Sequence, residues 1–185
     1  RVRRKRERMN DYRKKPKQQP VKKKISPEEQ AGILARDERY MRHALELAKK
    51  AAELGEVPVG AVVVRGDKVI SEAYNLRETG KNALAHAELM AMDKACAALG
   101  GWRLDGCELY VTLEPCPMCA GAIINSRISR VVFAAKDARA GALGSLINLD
   151  RYPFNHHPEI VSGVLGAEAA GLLRDFFGKL REKRK

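Results

Sequence analysis

The stretch Thr112-Leu-Glu-Pro-Cys-Pro-Met-Cys-Ala120, read with Ala85-His-Ala-Glu88, constrains this chain more than any other. His86, Cys116 and Cys119 offer one imidazole and two thiolates, a donor set suited to a single zinc ion per subunit. Cys116 and Cys119 stand three residues apart, so on a helix they share one face and can grip one ion. Pro115 suits the first turn of that helix, where its missing N–H costs nothing. A helix N-terminus lowers a thiol's pKa, so both sulfurs are expected as thiolates before metal arrives. His86 and Glu88 are expected in the first turn of a second helix, with the imidazole toward the metal and the carboxylate beside a bound water.

A structural zinc site closes its shell with a fourth protein ligand, and a hydrolytic site leaves that position to water. No fourth ligand lies nearby in the sequence, and Glu88 supplies an adjacent acid/base. Zinc brings the pKa of bound water toward neutrality, and Glu88 can take the proton and later deliver it to a leaving group. The competing arrangement is a structural zinc knot, which normally carries a second Cys-x-x-Cys or a His pair. Cys96 and Cys107 are too isolated to form one.

The remaining composition fits one domain with tails. The chain has 185 residues and four cysteines, two of them claimed by the metal pattern. Cys96 and Cys107 are expected as free thiols, which with a thiolate-bound metal implies a reducing, cytoplasmic setting. No run of eighteen apolar residues is present, so no membrane association is expected. The net charge of +12 sits at the ends. Residues 1–24 hold 13 basic and 2 acidic side chains, residues 179–185 hold 5 and 1, and the body between them is near neutral at −3. Basic ends on a near-neutral body suit a polyanionic partner, because phosphate contacts add affinity without reading sequence. For the N-terminal arm a merely solvated tail is an equal alternative.

Residues 1–24 are expected to be a disordered basic arm, 25–36 a helical lead-in and 37–185 the zinc-dependent domain. Ser26-Pro27-Glu28-Glu29 is a capping box that starts a helix, weakened at Gly32 and so expected to be firm from about Asp37 until Gly55 stops it. Val57–Val64 and Lys68–Tyr74 read as a hairpin around Arg65-Gly66-Asp67. Leu84–Leu99 reads as a helix, Glu108–Leu113 as a strand, and a helix then runs to Ser126. Arg130–Ala135 and Ile160–Val164 are strands, with a long loop between them holding one short helix at Ser145–Leu149. Glu168–Arg181 closes the chain as a helix with Leu172, Leu173, Phe176 and Phe177 inward. The pattern is α/β, a three-layer α/β/α sandwich around a mixed five-stranded sheet. Strand-to-helix steps are where such sheets bind ligands.

His-x-Glu followed by Pro-Cys-x-x-Cys matches a known signature of zinc nucleobase deaminases. From Arg36 to Lys179 the chain resembles the bacterial tRNA-specific adenosine deaminases of the cytidine deaminase-like superfamily. The resemblance is carried by Glu56–Ala61, Asn75, Ala85–Glu88, Leu109–Ala122, Ser126–Ile128, Arg130–Phe133 and the Asp137–Leu146 run. It implies a cytidine deaminase-like fold and a homodimer whose groove uses both subunits. It also implies hydrolysis of adenosine to inosine at the wobble position of a tRNA anticodon stem-loop: zinc-bound water attacks C6, Glu88 shuttles protons and ammonia leaves.

On this resemblance His86, Cys116 and Cys119 are the zinc ligands and Glu88 the catalytic residue. Asn75, Ala87, Pro115, Asp137, Asn155 and His156 are substrate-binding positions, although a turn Asn after a strand is the alternative for Asn75. The zinc motif by itself equally fits a deaminase of a free nucleoside or nucleobase, of the cytidine or guanine type.

Overall fold

The computed structural model describes residues 25–183, so the expectation for the 1–24 arm lies outside the described residues. The Ser26 capping box forms as expected: Ser26 Oγ accepts from Glu29 N–H and the Glu29 carboxylate from Ser26 N–H, with Pro27 in the first turn. Helix α1 (Pro27–Glu53) runs unbroken through Gly32, which sits in open space. Tyr40, Met41, Ala44, Leu45, Leu47, Ala48 and Ala51 recur at helical spacing and are all buried on one face.

Strand β1 (Gly60–Arg65) and β2 (Lys68–Tyr74) form the hairpin around the 65–67 turn. Helix α2 (Ala87–Leu99) is ended by Gly100 in the left-handed conformation. Then follow β3 (Cys107–Leu113), α3 (Pro117–Ser126), β4 (Arg130–Ala135), β5 (Glu159–Ser162) and α4 (Gly166–Glu182).

The sheet order is β2-β1-β3-β4-β5, with β1 antiparallel to both its neighbours and β3, β4 and β5 parallel. This is the expected mixed five-stranded sheet. Central β1 and β3 are apolar almost throughout because helices cover both faces. Ala61, Val63, Leu109, Val111, Val131 and Phe133 meet α2 and α3 on one face. Val62, Val64, Tyr110, Val132 and Ala134 meet α1 and α4 on the other. The layers are therefore α/β/α. Gly60 is where β1 crosses α1 most closely; a Cβ there would lie 2.7 Å from Ala48 N.

Several boundaries differ from expectation for identifiable reasons. Val57–Val59 does not join β1: Pro58 lacks an N–H, and Val59 N–H turns back to the Val57 carbonyl. Leu84 and Ala85 belong to a turn pinned by the Asn82 side chain, so α2 starts at Ala87. The short helix expected at Ser145–Leu149 is a 3₁₀ turn at Leu149–Arg151, capped by Asn148 Oδ1. Phe177 points outward and is 40% exposed.

At the edge formed by the start of β4, Arg130 donates twice to buried Asp37 at 2.7 Å and once to Glu108, while Arg36 and Tyr110 complete the cluster. Arg130→Met strips the cation from a carboxylate that is only 2% exposed. It is expected to cost about 3 kcal/mol of unfolding free energy, read from the urea midpoint. A shift under about 0.5 kcal/mol would show that the Tyr110 hydroxyl holds Asp37 without it.

Candidate metal centre and its two loops

The parallel run of β3 and β4 brings their carboxyl ends to one edge of the sheet, and β2, antiparallel to β1, ends there too. Asn75 follows β2, Glu114-Pro115-Cys116 follows β3, and Asp137 follows β4. The N-termini of α2 and α3 reach the same edge. A single edge thus collects residues that are far apart in sequence.

Cys116 is the N-cap of α3, Pro117 its first residue and Cys119 lies in its first turn. The proline of the first turn is therefore Pro117; Pro115 precedes the helix, buried, with its carbonyl accepting from Ala142 N–H at 2.9 Å. His86 is the N-cap of α2 in extended conformation, which swings its ring away from the helix. Its Nδ1 lies 3.8 Å from Cys116 Sγ and 3.6 Å from Cys119 Sγ.

A tetrahedral ion with Zn–S near 2.3 Å and Zn–N near 2.0–2.1 Å sets S and N about 3.6 Å apart. The donor set and its spacing fit zinc, and all three ligand atoms fall within 4.8 Å of one another. Among the described residues no other group of three or more His, Cys, Asp or Glu joins them.

Glu88 is one residue inside α2 and only 4% exposed. Burial pushes its carboxyl up from the ordinary carboxylate value, against the pull of its own backbone hydrogen bond and of nearby His86. The expectation of two thiolates needs correction. Cys116 is pulled down to about 4 by the hydrogen bond from Cys119, whereas Cys119 is pushed up by that same bond and by burial. The pair keeps one proton between them, and metal binding must release it.

Asn75 is nearly buried, and its Oδ1 accepts from Ala87 N–H at 3.1 Å. It caps α2 in place of His86, whose side chain makes no cap, and so locks the end of β2 to the helix bearing Glu88. Ala87 is fully buried with that N–H engaged. Asp137 spends Oδ1 on the turn it begins, accepting from Arg139 and Ala140 N–H.

Asn155 and His156 are not brought to the triad. Asn155 accepts from Arg127, and His156 Nε2–H donates to the Ile128 carbonyl at 2.6 Å. Both partners follow the C-terminal end of α3, and ten helical residues put that end on the order of 15 Å from Cys116.

Two residues of the site have roles that the sequence did not announce. Glu56, 1% exposed, accepts from Glu78 N–H and from Thr79 N–H and Oγ, holding the loop that leads to His86. Glu114, 2% exposed, does the same for the loop after β4. Burial alone would raise both carboxyls, but the hydrogen bonds they receive override it and hold both below the usual carboxylate value.

The model of the cytidine and deoxycytidylate deaminase zinc-binding region matches residues 34–135. A tRNA-specific adenosine deaminase of Bacillus subtilis is 54% identical over 153 residues, covering 82% of this chain and 95% of the relative. The chain belongs to the tRNA-specific adenosine deaminase family. A solved structure from a study of A-to-I editing by tRNA:A34 deaminases superposes with a TM-score of 0.71 at 42% identity, covering 73% of this chain and 99% of that one. A guanine deaminase from Nitrosomonas europaea shares the fold at a TM-score of 0.64 but only 26% identity, covering 88% of this chain and 98% of that one. The deaminase is thus more similar to the tRNA-editing members than to a free-base member. No helix among the described residues is long and apolar enough to cross a membrane.

Proposed function

We propose that His86, Cys116 and Cys119 hold one zinc ion and that Glu88 moves the protons in the hydrolytic deamination of tRNA, which turns adenosine at the wobble position of the anticodon into inosine. The observation that carries the reading is the triad with its tetrahedral S–N spacing and a buried carboxylate that is not one of its ligands. Zinc in that site supplies the Lewis acidity that makes water nucleophilic near neutral pH.

Glu88 takes the proton of the attacking water in its carboxylate and later gives it to the departing amine at C6, so ammonia leaves. Burial of the carboxylate excludes competing water from this transfer. Asn75, whose Oδ1 holds Ala87 N–H, keeps Glu88's helix in register with the end of β2 and is the position assigned to the flipped nucleoside. Pro115 and Asp137 border that place through the loop after β4. An anticodon loop suits such a site because an unpaired base leaves the stack cheaply.

The homodimer belongs to the same proposal. Leu146, Ile147, Tyr152 and Phe154 are large, exposed and clustered in one segment, a face suited to a second copy. Asn155 and His156 lie beyond it, so any RNA contact they make serves a groove wider than one triad. Phosphate contacts are assigned to the basic C-terminal end, and the cytoplasm is the compartment proposed.

Reaction in ¹⁸O-water tests the chemistry directly. One solvent oxygen should enter inosine for each ammonia released. Inosine formed without the label would remove the hydrolytic reading. Deamination of free adenosine or cytidine at rates matching those for the stem-loop would instead favour a small-molecule deaminase.

A further inference from the structure

We infer that Glu114 is a positioning residue for this reaction: its carboxylate fixes the Asp137–Ser145 segment as a wall of the metal site and so sets how tightly the RNA loop is held. The inference rests on the tRNA-deaminase reading above.

Glu114 stands two residues before Cys116, at the step from β3 to α3, yet it is not part of the ligand cluster. Its carboxylate accepts from Asp137 N–H at 3.1 Å and from Leu143 and Ser145 N–H at 3.0 Å, and Ser145 Oγ–H makes a further, short bond to Oε2. An ionised carboxylate has about four acceptor positions. All four are filled by one loop, which leaves Glu114 none for a substrate.

The loop in turn rests on the ligand-bearing step. Ala142 N–H donates to the Pro115 carbonyl at 2.9 Å, and Gly141 N–H closes back on the Asp137 carbonyl at 2.8 Å. Gly141 lies against the carboxylate so closely that a Cβ there would sit 2.5 Å from Glu114 Oε2 and from the Asp137 carbonyl oxygen. Its backbone is not left-handed, so what excludes a side chain is this contact.

A loop segment with two glycines would otherwise have to be ordered when RNA binds, and that ordering would weaken affinity. A loop already closed on Glu114 contributes its contacts to the bound substrate and the transition state alike. Such uniform binding shows in KM and leaves kcat nearly alone.

The test compares wild type, Glu114→Gln and Gly141→Ala on an adenosine-34 anticodon stem-loop, with zinc content and amide hydrogen exchange measured on the same samples. Gln keeps the shape of the side chain but turns one acceptor into a donor facing N–H groups. Ala at 141 presses on the same contact from the loop side. Both variants should retain one zinc per chain, exchange the amides of Leu143 and Ser145 faster, and raise KM about tenfold while kcat stays within about threefold.

Loss of zinc in Glu114→Gln would overturn the inference, because Glu114 would then support the metal and not the loop. An unchanged KM despite faster exchange at Leu143 and Ser145 would also overturn it, by removing the loop from the binding surface. A wild type that makes no inosine is a different failure, one of the deaminase reading itself.

Discussion

Glu88→Gln is expected to abolish turnover while leaving one full equivalent of zinc in the protein. The side chain is buried and lies one residue inside α2, but the ligand atoms belong to His86, Cys116 and Cys119. General acid–base catalysis contributes roughly 10²–10⁴-fold in rate. Glu88 acts twice, on the water and on the amine, so a fall of at least about 10³-fold in kcat is expected, with the stem-loop KM within about twofold of wild type. Gln is preferred to Ala because it fills the same space and opens no cavity. A variant that lost its metal would make Glu88 part of the metal site's framework instead.

Cys119→Ala is the second large effect, and it acts through the metal. Cys119 is fully buried in the first turn of α3, with its sulfur 3.6 Å from His86 Nδ1. Two ligands cannot hold zinc as three do, so the variant should carry well under a tenth of an equivalent and make no inosine above background. It should still fold, because none of the three ligand residues belongs to the two apolar cores packed on the sheet. A bound ligand at about 1,000 times its Kd stabilises by about 4 kcal/mol. For a domain of this size that corresponds to a melting temperature about 10 °C lower, with no further drop on adding a chelator. Wild type stripped by chelator should reach the same temperature. Retention of a full zinc equivalent by Cys119→Ala would break the ligand assignment.

The sequence carried the architecture because hydrophobic period and punctuation agreed with each other. The β-branched run at 62–64 and the capping box at Ser26 each signalled one element, and each forms. Element edges were less legible where a side chain reaches over to seize a backbone group, as Asn82 does at Leu84 and Asn75 at Ala87. The triad was legible because ligand type and spacing leave few alternatives.

Glu56 and Glu114 were invisible as loop organisers for a physical reason. Apart from the Thr79 and Ser145 hydroxyls, their partners are main-chain N–H groups 22 to 31 residues away, and a backbone amide has no sequence signature. The opposite pull on the two thiols was missed because the helix N-terminus argument treats each thiol alone. Two sulfurs in contact cannot both ionise at the ordinary cost.

The most direct measurement is inosine formation by zinc-loaded protein on an anticodon stem-loop with adenosine at the wobble position, followed by nuclease digestion and mass spectrometry. A guanosine-34 loop, free adenosine, free cytidine and free guanine run beside it. Inosine from the adenosine-34 loop alone, absent with Glu88→Gln, is the predicted result. Intact zinc with no inosine from the loop, and ammonia released from a free base or nucleoside, would contradict it.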